Sequence, residues 1–522
     1  MRSGNDAVRP VHPWIVAVTV LFGTFMVVLD TTVVNVSLPH IAGNLSASIE
    51  ESTWALTSYL AANAVILPIT GWLANQFGRR RLLLLSLAGF TVASLLCGLS
   101  TSLPVLIAWR IVQGITGGVM QPLSQAIMLE AFPPKERGKA MALFGLGVVV
   151  APVLGPVLGG WLTDNWSWRW VFYINLPVGV TALFMTRAFI FDPPYIRRGT
   201  AGIDYWGIGL LAIGIAALQI GLDQGQREDW FSSNLIATLM VVAVVGLTAF
   251  VIHALVTRHP VVDLRLFKDR TYAAGVALIT VMGFGLYGSL VLMPVLLQTL
   301  LGYPALEAGF AMAPRGLGSV VAMPLVGLAL ARTDPRKLIG LGFALNAVTL
   351  YWMARLNLQA GFWDIFWPQF AQGVGLGLLF VPLTTITMDR IRPEAMGGAT
   401  SLFNLMRNIG GSVGIAITQT LLARYRQEHI NVLGAHVDGY SLPAQIMFQN
   451  LRASFVARGS DLATATNRAY AALFGMVQKQ AGMLAFIDGF KVLALVFLLL
   501  IPLVLLMEKP HHHGGRAMAA GD

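Results

Sequence analysis

Fourteen apolar stretches recur along the 522 residues of this chain, near 14–38, 53–74, 82–100, 104–129, 140–162, 170–190, 205–223, 234–256, 272–300, 305–331, 338–356, 365–388, 398–423 and 484–507. About 20 apolar residues in a helix span the ~30 Å hydrocarbon core of a bilayer. Lipid offers the backbone no hydrogen-bonding partner, so each crossing must close its own bonds, and a helix does so. The chain reads as an all-α membrane protein with fourteen transmembrane helices. Composition agrees: 56% of the residues are hydrophobic and 11% are charged, against about 25% charged in soluble domains. So few charges cannot cover a soluble surface, which excludes a water-soluble enzyme and a disordered chain. A single cysteine, Cys97, excludes a disulfide scaffold. The 54 glycines suit closely packed membrane helices. The first stretch, from Trp14 to about Leu38, is too long for a signal-peptide core and reads as a retained helix.

The net charge of +10 would suit a nucleic-acid partner if it were clustered, but it is spread over every second connection. One set of connections holds Arg79, Arg80, Arg81; Lys135, Arg137, Lys139; Arg197, Arg198; Arg258, Arg265, Lys268, Arg270; Arg332, Arg336, Lys337; and Arg390, Arg392. With Arg187 and the termini (Arg2, Arg9, Lys509, Arg516) these make 22, whereas the alternate short connections hold Arg169, Arg227 and Arg355. Basic short loops stay in the cytoplasm, so both termini are expected inside, and no nucleic acid is expected as a partner. The connection 424–483 is long and lies on the outside face. Its segments 443–457 and 459–479 mix apolar and polar residues as surface helices would. It reads as a solvated cap or as a docking surface.

The chain repeats. Gln113-Gly114, Pro122-Leu123-Ser124, Met128 and Pro133 recur as Gln372-Gly373, Pro382-Leu383-Thr384, Met388 and Pro393; the run from Gly71 through Arg79, Arg80, Arg81 and Leu82 parallels that from Gly327 through Arg336, Lys337 and Leu338. The matching helices are eight spans apart, an even number, so both copies run the same way across the bilayer. The expected layout is a six-helix half at 1–200, two inserted helices at 201–262, a second half at 263–508 and a tail at 509–522.

Four strings carry chemistry. The loop Gly71-Trp72-Leu73-Ala74-Asn75-Gln76-Phe77-Gly78-Arg79-Arg80-Arg81 pairs a tight turn at Gly78 with an arginine cluster. Arg110, among Ile107, Trp109 and Ile111, is expensive in lipid and has to face the bundle interior or a water-filled cavity. It is a structural arginine held by backbone carbonyls or one that regulates a neighbouring carboxyl. The repeat copy has Gln369 there, and that asymmetry favours a function. In the fifth helix Gly147, Ala151, Gly155 and Gly159 share one face, which lets another helix approach, while Pro152 and Pro156 bend it ahead of Gly160. Asp30 lies in Leu29-Asp30-Thr31-Thr32-Val33-Val34-Asn35-Val36-Ser37-Leu38-Pro39. It sits ~24 Å along a helix begun at Trp14, inside the hydrocarbon.

Together these strings resemble the major facilitator superfamily. The Gly71–Arg81 string is similar to its loop signature, with Asn75 at the acidic position, so no Asp-based latch is implied there. The Gly147–Gly160 string resembles the antiporter signature of its drug exporters. Asp30–Pro39 and Trp168-Arg169-Trp170-Val171-Phe172-Tyr173-Ile174-Asn175-Leu176-Pro177 resemble elements of the fourteen-helix drug:proton antiporters, as do Asp229–Ser233 and Pro382–Thr387. The resemblance implies two parallel halves that rock about a midplane site. It implies no enzyme activity and no cofactor, and export of hydrophobic or amphipathic compounds across the cell inner membrane in exchange for protons. It also implies a periplasmic membrane-fusion adaptor and an outer-membrane channel as partners. Export of one metabolite, or a receptor without turnover, are the alternatives.

Two further matches are spurious. Gly410-Gly411-Ser412-Val413-Gly414 and Gly283-Phe284-Gly285-Leu286-Tyr287-Gly288 imitate a hydrolase elbow and a dinucleotide fingerprint, but both lie in apolar helices where those motifs need a preceding strand. His511, His512 and His513 form a tail tract.

The expected mechanism centres on Asp30 and Arg110. Burial favours a protonated carboxyl and a nearby guanidinium favours the ionised one, so an arginine that approaches in one conformation couples proton binding to the cycle. An inward proton gains ~2.3 kcal/mol per 100 mV. Arg407, with Gln298, Gln369 and Phe403, would meet a polar or anionic substrate end, or else serve helix-to-helix bonding. Asn35, Gln113, Gln121 and Asn404 complete the candidate pocket.

Overall fold

The computed structural model describes residues 11–193, 202–258, 260–437 and 440–508. Arg2, Arg9, Arg197, Arg198, Lys509, Arg516 and the His511–His513 tract lie outside the described residues. Among the described residues the regular structure is helical. In chain order the helices are α1 (Pro13–Asn44), α2 (Ile49–Ser52), α3 (Trp54–Ile66), α4 (Thr70–Phe77), α5 (Arg79–Gly98), α6 (Leu103–Ala131), α7 (Arg137–Asn165), α8 (Trp170–Tyr173), α9 (Asn175–Phe189), α10 (Tyr205–Gln224), α11 (Asn234–Val256), α12 (Arg270–Val295), α13 (Ala305–Ala329), α14 (Pro335–Met353), α15 (Phe362–Thr387), α16 (Met396–Ala435), α17 (Leu442–Ala457) and α18 (Leu462–Leu499). Local chemistry starts several of them. Asp204, Asp269, Asp334 and Asp461 cap α10, α12, α14 and α18 by accepting a backbone N–H, each a contribution of about 1 kcal/mol. Pro68 stands where α3 and α4 meet at 60°, since proline cannot donate the bond that would carry the helix through.

Among the described residues eleven helices are long and apolar enough to cross a bilayer, twelve with the bent pair α3–α4 taken as one span. The stretches expected near 338–356 and 398–423 are α14 and α16, long helices that fall short of that apolarity. Within 424–483 the segments expected at 443–457 and 459–479 are helical, the second as the start of α18. α16 runs on without a break to Ala435, α17 follows, and α18 begins at Leu462. Turns there are as polar as any surface helix, so the apolar pattern that marks a span is silent about them. The last span runs to Leu506, close to the expected end, its final turn passing from α18 into a tighter helical turn at Pro502–Leu506.

The two halves pack by one scheme. α1 on α7, α3 on α6, α5 on α6 and α5 on α9 in the first half match α12 on α16, α13 on α15, α14 on α15 and α14 on α18 in the second. The repeated glycines sit at matching crossings. A Cβ on Gly114 would meet the carbonyl oxygen of Tyr59, and one on Gly373 the carbonyl oxygen of Arg315. Tyr59 and Arg315 are therefore counterparts. Between the halves, α7 lies along α13, and α4 and α6 meet α16. The α7–α13 contact runs from Gly138 and Gly327 to Val157 and Gly309, whereas α4 and α16 meet at the end that carries the Arg79–Arg81 loop. Gly71 abuts Gly397 and Gly398, and Gly138 abuts Gly327. The hairpin α10–α11 packs outside this bundle on α3. In α11 Ala243, Gly246, Phe250 and Ala254 are buried, while Val241, Val244, Val245 and Ile252 are more than half exposed and face outward, the pattern of a helix bathed in lipid on its outer side.

Candidate functional site

Asp30 of α1 and Arg110 of α6 lie side by side in the first half, both fully buried. Arg110 Nη1 donates to Asp30 Oδ2 at 2.6 Å and to Gln113 Oε1 at 2.7 Å, and its Nε donates to the Ala55 carbonyl at 2.9 Å. The other carboxylate oxygen accepts from Asn175 Nδ2 at 2.8 Å and Gln113 Nε2 at 3.1 Å. Asn175 in turn donates to Ser94 Oγ at 3.0 Å, and Ser94 donates to the Phe172 carbonyl at 2.9 Å. The guanidinium lies over the Tyr59 ring, 4.2 Å from its centroid, and 5.7 Å from that of Phe172. Three donors thus converge on this one carboxyl group. Arg110 Nη2 is buried without a partner. A buried ion pair is expensive unless its remaining lone pairs and protons are met. Here the acid is fully met, whereas both N–H groups of the guanidinium Nη2 lack a partner.

The sequence expected Asp30 and Arg110 to meet, and the fold brings them together. It places Gln113 on Asp30, where a substrate-pocket residue had been expected. One turn separates Gln113 from Arg110 on α6, so both point at the same carboxylate. Asn175 is the partner that residue-by-residue reading left out, although it stood in view as the lone amide of the Trp168–Pro177 string.

The glycine face of α7 meets α1. Gly147 abuts Leu21, Gly155 abuts Thr32 and Gly159 lies on Val33, where a Cβ would come within 2.8 Å of a backbone oxygen. Ala151 is buried, Pro152 and Pro156 are half-buried, and Gly160 borders open space. In the Gly71–Arg81 string, Gly78 adopts φ 84°, a left-handed turn that suits glycine. Arg79 pairs with Glu130 at the end of α6, and Arg80 Nη2 donates to the Arg187 carbonyl at 2.6 Å. Asn75 is exposed.

Between the halves, Asn404 Nδ2 donates to Gln125 Oε1 at 2.5 Å. Gln121 and Arg407 each lie one turn further toward the far end, on α6 and α16, and Phe403 is buried beside them in sequence. Arg407 is 2% exposed and makes no ion pair among the described residues; its Nε is buried without a partner. Gln369 is buried on α15 with an unpartnered Oε1. Asn35 is exposed on α1. Gln298 stands apart from this group, exposed in the wide helical turn Leu296–Leu300 that follows Pro294. Ser412 donates to Gln219 Oε1 at 2.9 Å and has no base beside it. Among the described residues, no three His, Cys, Asp or Glu side chains gather as a metal site would require.

Two repeated helical halves enclosing a buried acid–guanidinium pair define a polytopic membrane protein of the transporter type. The family model described as "Major Facilitator Superfamily" matches residues 20–415, and the chain belongs to that superfamily. It is 39% identical over 496 residues to the fatty acid resistance protein FarB of Neisseria gonorrhoeae, covering 94% of this chain and 95% of that protein. It is also 39% identical over 503 residues to the multidrug export protein EmrB of Escherichia coli (strain K12), covering 96% of each. Among solved structures it resembles the human organic anion transporter MFSD10, with a TM-score of 0.60 at 15% identity over 94% of this chain and 99% of that one. That likeness concerns the fold.

Proposed function

We propose that this protein is a proton-coupled antiporter that exports hydrophobic and amphipathic compounds across the cell inner membrane. The observation that carries the reading is the buried Asp30–Arg110 pair, set in a half that closes on its counterpart at one end. Taking the basic loops as cytoplasmic, the glycine contacts at Gly71 and Gly138 and the Asn404–Gln125 bond seal the inner side. In this conformation Arg110 accompanies an ionised Asp30. If a rocking motion draws α6 from α1, Asp30 is left as a lone charge in oil, and a proton relieves it. Proton binding on one side and release on the other then follow from one arginine's position.

The relatives' names support the export of foreign and amphipathic compounds. Arg407, an uncompensated cation beside Phe403 and one turn above the inner seal, fits the anionic head of an amphipathic acid, and FarB is named for fatty acid resistance. The helices α16 to α18 that project from the outer side suit an adaptor leading to an outer-membrane channel, with the termini cytoplasmic. The test is Asp30→Asn in proteoliposomes with an imposed pH gradient. Proton-driven efflux is expected to vanish while folded yield persists. Wild-type efflux from that variant overturns the reading.

A further inference from the structure

The hairpin α10–α11 is the part of the fold that two six-helix halves do not need, yet its outer end makes a specific set of bonds. Three go to the first half. Asp223, in the last turn of α10, accepts from the Thr57 hydroxyl. Gln224 Nε2 donates to the same hydroxyl at 3.3 Å, and Arg227 Nη1 donates to Thr53 Oγ1 at 2.6 Å. Two go to the second half: Ser412 to Gln219 at 2.9 Å, and Trp230 Nε1 to Thr420 Oγ1 at 2.9 Å. At the inner end α4 and α6 meet α16 directly; at the outer end α10 touches both α3 and α16 and links them.

The start of α3 is gripped from two directions. Ala55 offers its carbonyl to Arg110, which holds Asp30; Thr57, two residues on, is held by Asp223. A shift of this turn is felt at both carboxyls.

Asp223 is half-buried near the end of a membrane-spanning helix. Among the described residues it makes no ion pair, and its hydrogen bond comes from a neutral hydroxyl. Arg227, one turn on, is the charge that acts on it; the other charged residues of the neighbouring segments are Glu228 and Asp229 in the connection to α11, Glu51 ahead of α3, and Arg424 and Arg426 on the later part of α16. The titratable residue of α11 is His253, at the opposite end, where it bonds Asp204 at 2.7 Å. A carboxyl in this setting is cheap when protonated and costly as a lone anion. The ionised form makes the stronger bond to the Thr57 hydroxyl, by about twofold over a neutral acceptor.

We propose that Asp223 is a second proton-binding site: ionised, it holds α10 on α3 and keeps the outer ends of α3 and α16 apart; protonated, it frees α3 to close toward α16. The carboxylate takes its proton from the outer medium and returns it there when the outer side reopens. The acid therefore gates the cycle and adds nothing to the count of protons transported. The proposal rests on the proton-coupled reading of Asp30 and gives the inserted helices a task in it.

The test uses the full chain in lipid nanodiscs, with Cys97→Ser and spin labels at Ser48→Cys and Ala423→Cys on the outer ends of the two halves. Between about pH 7.5 and 5.5 the wild-type protein is expected to shift toward the shorter distance, its population rising about threefold or more. Asp223→Asn is expected to show the short distance at both pH values, and Asp223→Glu to follow the wild type. A wild-type pH response in Asp223→Asn overturns the proposal. Should that variant fail to fold, Thr57→Val leaves the carboxyl in place and removes the hydroxyl that donates to it, along with the acceptor of Gln224 Nε2. It is expected to populate the short distance at the higher pH, and an unchanged distribution overturns the proposal equally. Proton-driven efflux by Asp30→Asn is measured in parallel: efflux retained there sinks the reading of Asp30, whereas efflux lost there with Asp223→Asn behaving as wild type sinks only this inference.

Discussion

Gly71 offers a direct measure of the seal between the halves at the end that carries the Arg79–Arg81 loop. A Cβ there would lie 2.5 Å from the Cα and N of Gly398, whereas non-bonded carbons rest about 3.5–4.0 Å apart. Both contacts are backbone, so no side chain can rotate away, and the halves have to separate locally by ~1 Å. Overpacking of this kind costs ~1–3 kcal/mol. The contact exists only while this end is closed, so the cost falls on the closed conformation alone. Gly71→Ala is therefore expected to shift the balance toward the conformation open at this end by about 5- to 150-fold. Spin labels at Phe77→Cys on α4 and Glu394→Cys just before α16, in a Cys97→Ser background, report the opening, both positions being exposed. A longer mean distance in Gly71→Ala is the expected result. An unchanged distribution in a well-folded variant refutes the argument that glycine is required for the seal.

Arg110→Met strands Asp30 in the first half and is expected to destabilise the protein by ~3–5 kcal/mol; adding Asp30→Asn should restore much of the loss, read as melting temperature in detergent. Arg407→Ala is expected to reduce export of amphipathic acids by about tenfold, the loss of one charge-assisted bond of ~1.5 kcal/mol or more, while neutral substrates keep their rates. A uniform fall across both classes, tracking folded yield, would show a packing role instead. At the start of α10, burial pushes the Asp204 carboxyl up, but bonds from the Gly207 amide, His253 and the Val261 amide outweigh it and hold it below the usual carboxylate range. Stability from a depressed acid is present above its unfolded value and fades as pH falls through the folded one. Asp204→Ala should thus cost about 1 kcal/mol at neutral pH, and the gap to wild type should narrow only below about pH 4; a gap that persists unchanged into stronger acid contradicts the assignment.

The pairing of Asp30 with Arg110 was legible in the sequence because each is intolerable alone in hydrocarbon and neither had another opposite charge at its depth in that half. The glycine ladder of α7 announced a close helix, although the identity of α1 came from the fold. Asn175 and Gln113 were visible as amides in apolar runs, but which carboxylate they address depends on how α9 and α6 are rotated. Gln298 was expected beside Arg407 and lies at the rim, since the chain leaves regular helical geometry after Pro294. Arg315 drew no notice in sequence, and only the matching crossings at Gly114 and Gly373 reveal it as the counterpart of Tyr59.

What the chain alone determined is its division into spans, its expected orientation and the depth of its buried charges. These follow from the transfer cost of each side chain, a property every residue carries by itself. Tertiary structure decided that α16 and α18 are long unbroken helices, Met396–Ala435 and Leu462–Leu499, that α10 touches both α3 and α16, and that Asp30 has three donors. These are relations between helices distant in sequence, set by rotation, depth and close approach, and no single residue's preference contains them.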